Sequence, residues 1–209
     1  IYGCEGYSPL TSQGNLTGHN ADGVAVMALA GDVSVSVVSE AAKGKTPKDF
    51  ADCGEAIGKK LKALIDPKLP GKVILTFGNQ HVGDNAHYVK GMTSVLGNEI
   101  MLVGAAAGGG EAREIVAGRI VQGENICVLI QGNFTVSSAV ELGKGKDALL
   151  ATAKTAMTSA FHADQKPQLV FIFDCGGRRK DLIAGNALAD EHAIMKEIAG
   201  DVPLFGFYG

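Results

Sequence analysis

The densest chemistry in the chain is Asp174-Cys175-Gly176-Gly177-Arg178-Arg179, an acid, a thiol, two glycines and two guanidinium groups in a row. Arginine forks bind carboxylate or phosphate through paired N–H groups. Glycines let backbone N–H groups come close to a ligand. A thiol at a helix N-terminus beside two cations is expected to ionise more readily than a free one. The competing account is structural: Asp174 caps the helix and the arginines pair with surface acids. Functional groups of α/β folds gather where loops leave the carboxyl ends of strands. Four more such loops can be named, Gly3-Cys4-Glu5-Gly6-Tyr7, Gly78-Asn79-Gln80-His81, residues 104–110, and Gly206-Phe207-Tyr208-Gly209. The candidate ligand-binding set is therefore Asp174, Cys175, Gly177, Arg178 and Arg179, with Cys4, Glu5, Asn79, Gln80, Phe207 and Tyr208. Loops of the two halves are expected to meet in one cleft.

Other patterns fail on inspection. Gly44-Lys45-Thr46 imitates the end of a phosphate-binding loop, but Ser39 stands where the first glycine is required. Residues 104–110 follow a strand as a dinucleotide loop would, yet residues 114–121 read as another strand rather than a helix. His81 and His87 are six apart with only Asp84 between them, a poor match to metal-ligand spacing. The four cysteines, Cys4, Cys53, Cys127 and Cys175, form no CxxC pair, so a structural metal is not expected. No motif calls for a cofactor, and no nucleophile elbow is present.

The elements that must position these loops recur. A short apolar run ending in glycine occurs at Ile1-Tyr2-Gly3, Met101-Leu102-Val103-Gly104 and Pro203-Leu204-Phe205-Gly206, at intervals of 101 and 102 residues. Between these markers, residues 24–30, Gly31-Asp32 and residues 33–40 match residues 126–131, Gly132-Asn133 and residues 134–141. Each set reads as two strands joined by a two-residue hairpin turn. The strand at 73–77 answers that at 169–173. The expected fold is α/β: two tandem pseudo-symmetric β-ββ-α-β-α units, 1–103 and 104–209, with mixed sheets and helices packed outside. Thr46-Pro47 starts one helix with a cap and proline. Phe50, Cys53, Ile57, Leu61 and Leu64 form its core-facing stripe, and Leu149, Leu150, Ala153, Met157 and Phe161 form that of its counterpart. Shorter helices are expected to start near Asp84 and Arg179 and to stop at Gly97 and Gly200. The strand at 73–77, apolar on both faces, should be central.

Length and composition exclude several classes. The 209 residues are 46% hydrophobic and 20% charged, with 29 glycines and no Trp, a composition far from disorder. A net charge of -3 with no basic block offers nucleic acid no positive stripe. No apolar run approaches the length that spans a bilayer. Sequons at Asn15 and Asn133 are possible glycosylation sites, but chance supplies one or two in this length. The cytoplasm is the favoured compartment, with secretion left open. Ile1-Tyr2-Gly3-Cys4 reads as the end of a strand, so a processed chain or part of a longer one is expected.

The apolar strand running into Asp174-Cys175-Gly176-Gly177-Arg178, followed by Pro203-Leu204-Phe205-Gly206-Phe207-Tyr208-Gly209, resembles the C-terminal part of the FIST sensory domain. Gly3-Cys4 with its downstream strands resembles the N-terminal part, although Glu5-Gly6-Tyr7-Ser8 stands where that family has Ser-Thr-x-Gly. The resemblance carries over Asp174, Cys175, Gly177, Arg178, Gly206, Phe207 and Tyr208 as family positions. It implies a sensory or recruitment module for signal transduction that binds small compounds such as amino acids, attached in eukaryotes to F-box proteins. It supplies no catalytic residues. The first expectation is thus a module that binds a small anionic or amino-acid-like ligand or a protein partner, without catalysis. A second is a self-assembling structural protein built from a duplicated unit. A third is a thiol enzyme using Cys175 with His81 or His162.

Overall fold

The computed structural model describes residues 1–15, 23–78, 85–106, 113–161 and 167–209. The chain gathers into two compact units, each drawn from separated stretches. Unit 1 is Ile1–Gly6 with Leu29–Val136, and unit 2 is Tyr7–Ala28 with Ser137–Gly209.

Unit 1 holds β1 (Gly3–Cys4), β4 (Val33–Ala41), α1 (Pro47–Lys62), β5 (Gly71–Gly78), α2 (Asn85–Leu96), β6 (Met101–Ala106), β7 (Arg113–Val116), β8 (Arg119–Gln122) and β9 (Glu124–Gly132). Its main sheet runs β4-β9-β5-β6, with β5 and β6 parallel and the other pairs antiparallel. The strand apolar on both faces, β5, lies inside that sheet with Val73, Ile74 and Leu75 buried. Phe50, Cys53, Ile57 and Leu61 of α1 and Tyr88 and Met92 of α2 pack with Ile74, Cys127 and Leu129 from the sheet. Thr46 caps α1 through a reciprocal capping box with Asp49, and Pro47 occupies the first turn. That cap accounts for the false phosphate-loop pattern at Gly44-Lys45-Thr46.

Unit 2 holds β2 (Ser8–Thr11), β3 (Gly14–Asn15), α3 (Lys146–Ala160), β10 (Val170–Asp174), α4 (Gly176–Ala184), α5 (Leu188–Ala199) and β11 (Leu204–Tyr208). Its sheet runs β10-β11-β2-β3, with β10 and β11 parallel. The core joins Leu149, Ala153 and Met157 of α3 to Leu182, Leu188 and Met195 of α4 and α5, and to Leu10, Leu204 and Tyr208 of the sheet. The mixed α/β architecture expected from the sequence is present, with three sheets and five helices among the described residues.

Three local expectations are corrected. Neither Gly31-Asp32 nor Gly132-Asn133 closes a hairpin. Instead β4 pairs with β9, Val33 lying opposite Gly132 and Ala41 opposite Glu124. Residues 24–30 and 134–141 form no regular element. A hairpin and a long-range ladder present the same alternation of side chains, so periodicity cannot tell them apart. Residues 114–121 are not one strand but the hairpin β7–β8. Ala117 and Gly118 both have positive φ (52° and 82°), the requirement of a tight I′ turn. The helix expected from Arg179 begins at Gly176 and is split from α5 around Asn186, whose φ is 50°. Asn tolerates that left-handed conformation better than most side chains. Gly97 and Gly200 do follow the ends of α2 and α5 with positive φ.

The approach of α1 to α2 is set by glycine. A Cβ on Gly54 would lie 2.0 Å from the Tyr88 carbonyl oxygen, and one on Gly91 would lie 2.1 Å from that of Ala51. In an isolated helix Gly→Ala stabilises by up to about 1 kcal/mol. Here the clash with backbone should reverse the sign, so Gly91→Ala is expected to lose at least about 2 kcal/mol in urea denaturation. A stabilised Gly91→Ala protein would contradict this packing.

Candidate functional site

The parallel pair β10–β11 delivers its carboxyl ends side by side. The Gly209 N–H donates to the Asp174 carbonyl at 2.8 Å, and the Gly176 N–H donates to the Gly209 carbonyl at 2.6 Å. Asp174 ends β10, Cys175 is the N-cap residue of α4, and the Asp174 side chain accepts the Cys175 N–H at 2.7 Å. The acid therefore orders the strand-to-helix turn from the residue before the cap. The structural account is thus corrected in two details: Cys175 rather than Asp174 is the N-cap residue, and the acid that Arg178 meets on α5 is buried rather than on the surface. A Cβ on Gly176 would lie 2.3 Å from the Tyr7 ring, so glycine is needed for Tyr7 to cover that turn.

Arg178 sits one helical turn beyond Asp174 with its side chain 11% exposed. Its Nε lies 2.9 Å from Asp174 Oδ2 and donates to Glu191 Oε1 at 2.8 Å. Nη1 donates to Thr152 Oγ1 at 2.9 Å, while Nη2 reaches the Leu149 carbonyl and Glu191 Oε1, both at 2.5 Å. The other oxygen of the fully buried Glu191 accepts the Tyr208 hydroxyl at 2.6 Å. One guanidinium thus joins β10, α3, α4, α5 and the end of β11.

Two carboxylates face this single cation. Burial is the main reason that the Asp174 carboxyl rises from 3.8 to about 6; Arg178 opposes the rise and Glu191 adds to it. Chiefly through burial, the Asp174 carboxyl therefore exchanges its proton nearer to neutrality than an ordinary carboxylic acid does.

The remaining candidates stand in different local settings. Cys175 and Gly177 are exposed on the first turn of α4. Arg179 is buried at 5% exposure. Phe207 is half-buried and meets Phe173 edge-on, ring centres 5.7 Å apart, while Tyr208 is fully buried. In unit 1, Glu5 pairs with Arg113 at 3.2 Å on the surface. Burial, and secondarily Glu114, pushes the Cys4 thiol up to about 12, so Cys4 is a poor nucleophile. Burial likewise pushes Cys53 to about 12 and raises Cys127, in keeping with core thiols. Asn79, Gln80, His81 and His162 lie outside the described residues. Asn133 is exposed, and only the backbone of Asn15 is described. Among the described residues no group of three or more His, Cys, Asp or Glu is placed to hold a metal ion, and no helix is long and apolar enough to cross a membrane.

Sequence reasoning missed Glu191, the hub of the network. One signal was available. Glu191 falls between Leu188 and Met195 at spacings of three and four, an acid on the buried stripe of its helix, and such an acid needs a cation or donor.

Two measurements test the network. The folded state holds the Asp174 proton more tightly than the unfolded chain. This contribution to stability is therefore full below about pH 4 and disappears as pH rises through about 6, amounting to roughly 3 kcal/mol. Asp174→Asn should flatten the stability profile between those values, and an unchanged slope would refute the assignment. Tyr208→Phe removes a buried hydrogen bond to a carboxylate and should cost about 2 kcal/mol in urea denaturation. A variant as stable as the parent would show that the bond contributes nothing.

The chain matches two family models. Residues 3–147 match the FIST N domain and residues 112–209 the FIST C domain. No curated protein matches the chain. The two matched spans overlap and together reach from Gly3 to Gly209, taking in the Asp174–Arg178 turn and the Phe207-Tyr208 end of β11. The chain belongs to the FIST family of signal-transduction sensory domains.

Proposed function

We propose that this FIST domain senses a small anionic or amino-acid-like ligand at the carboxyl ends of β10 and β11. The observation that carries the reading is a division of labour within one motif. Arg178 and Asp174 are engaged inside unit 2, whereas Cys175 and Gly177 stand exposed on the first turn of the helix that they anchor. Helix N-termini favour anions through their N–H groups and dipole; Asp174 and the Gly209 carbonyl take the Cys175 and Gly176 N–H groups, and the turn beyond them contains no acid. In this reading Arg178 is a positioning residue that fixes the turn, while Cys175 and Gly177 line the ligand contact. All four cysteines are free, which supports a reducing compartment such as the cytoplasm. A protein partner would read the ligand-bound state from the same end of the unit.

Gly177 gives a clean test, because an added Cβ would meet only Cys175 Sγ at an ordinary 3.5 Å. Thermal denaturation against a panel of amino acids and small carboxylates should find a compound that raises Tm. At a hundred times its Kd, such a ligand stabilises by about 2.7 kcal/mol. Gly177→Ala should keep or slightly raise the unliganded Tm and shrink the ligand-induced shift. If no compound stabilises the domain, or if Gly177→Ala responds like the parent, the reading fails.

A further inference from the structure

Strand β10 ends its sheet, and its apolar residues are only half-buried, whereas Val73, Ile74 and Leu75 of β5, which has neighbours on both sides, are buried. The Val170 N–H donates to Pro203 and the Asp174 carbonyl accepts from Gly209. Alternation along the strand then turns the Phe171 N–H and carbonyl toward the open edge. In the same unit, Val24 is 90% exposed, Val26 79% and Val140 85%. An apolar edge and apolar, strand-like segments thus stand unpaired with each other inside unit 2.

The two units supply the missing register. Each has a parallel pair in which a glycine presses on its neighbour's backbone. A Cβ on Gly104 would lie 1.9 Å from the carbonyl oxygen of its pairing partner Thr76, and one on Gly206 would lie 1.6 Å from that of Ile172. Matching these glycines matches β5 to β10 and sets Thr76 against Ile172. In unit 1 the far edge of β5 is covered by β9, with Thr76 opposite Cys127, and β9 is covered in turn by β4. The sequence counterpart of β9 is residues 24–30, offset by 101, and that of β4 is residues 134–141.

We propose that residues 24–28 are a built-in strand that docks antiparallel on the open edge of β10, with residues 137–141 outside it. Ile172 then faces Val26, and Val26 faces Ala139. The docked strand gives Phe171 ladder partners, withdraws the exposed valines from water and closes an edge open to foreign strands. It also sets Val24 beside Asp174, so docking reaches the turn that carries the candidate site. The occupant is this chain's own segment, because residues 24–30 and 134–141 are related to β9 and β4 by the same offset of 101, and β9 and β4 cover β5 in that order.

Residue-resolved amide hydrogen exchange on the full chain tests this. Alternate amides of residues 24–28 and the amide of Phe171 are expected to exchange about a hundredfold slower than an unstructured chain. A strand paired on both sides tolerates no proline, so Val26→Pro should speed exchange at Phe171 tenfold or more while amides of α3 and β11 keep their protection. Residue 26 is exposed, so this variant leaves the described core intact. Exchange at the unstructured rate in residues 24–28 overturns the proposal, as does protection at Phe171 that ignores Val26→Pro. Protection that grows with protein concentration also overturns it, since the docked strand would then come from a second copy.

Discussion

Arg178 carries a full charge into a place where its side chain is 11% exposed. Such burial costs several kcal/mol per ion unless the charge is paired and its donors are satisfied. The chain meets that demand by converging on one point. Asp174 comes from the preceding strand, Thr152 and the Leu149 carbonyl from α3, and Glu191 from α5, itself held by Tyr208 at the end of β11. These elements cannot drift independently without stranding a charge. The network therefore fixes the geometry of the β10–α4 turn more firmly than apolar packing, which tolerates sliding, could do.

This accounts for the pattern Asp174-Cys175-Gly176-Gly177-Arg178 without asking the arginine to hold a ligand. The four-residue spacing from Asp174 to Arg178 is one helical turn, so the pair closes as soon as α4 forms. Gly176 lets Tyr7 lie against the turn. What the motif leaves to solvent is a thiol and a glycine. Within unit 2 the fixed geometry and the accessible surface are thus carried by different residues of one short stretch.

Much of this was legible in the residues, and the rest was not for definite reasons. The stripes of α1 and α3 and the Thr46 cap depend on contacts within a few residues, and they fall where the spacing placed them except at their ends, where Leu64 lies beyond α1 and is 42% exposed and Phe161 lies beyond α3. Central β5 was legible because a strand covered on both faces cannot carry polar alternation. The pairing of β4 with β9 was not, since the 33–40 strand offers the same side chains to a hairpin partner and to a remote one. The split between α4 and α5 was hidden because its break rests on Asn186, whose left-handed φ no periodicity announces. Glu191 escaped because its partners are distant in sequence or separated from it by that break. The functional set chosen from loop position mixed accessible residues with ones such as Tyr208 whose polar group is spent on the core.

A sensor must have two arrangements that its ligand distinguishes, for a ligand that binds both equally shifts nothing. The Arg178 network leaves the β10–α4 turn poorly suited to supply the second one, because moving it breaks a buried charge pair. The adaptable part of unit 2 must then be one whose release strands no charge. Residues 24–28 and 137–141 meet that condition, since their rearrangement exchanges apolar surface and edge hydrogen bonds with water and, among the described residues, breaks no ion pair. With Val24 placed opposite Asp174, strand docking changes the solvation of the very carboxyl whose proton is held near neutrality by burial. Under the two proposals, docking, protonation of Asp174 and ligand binding at the α4 turn are linked equilibria, and within each pair the shift is reciprocal.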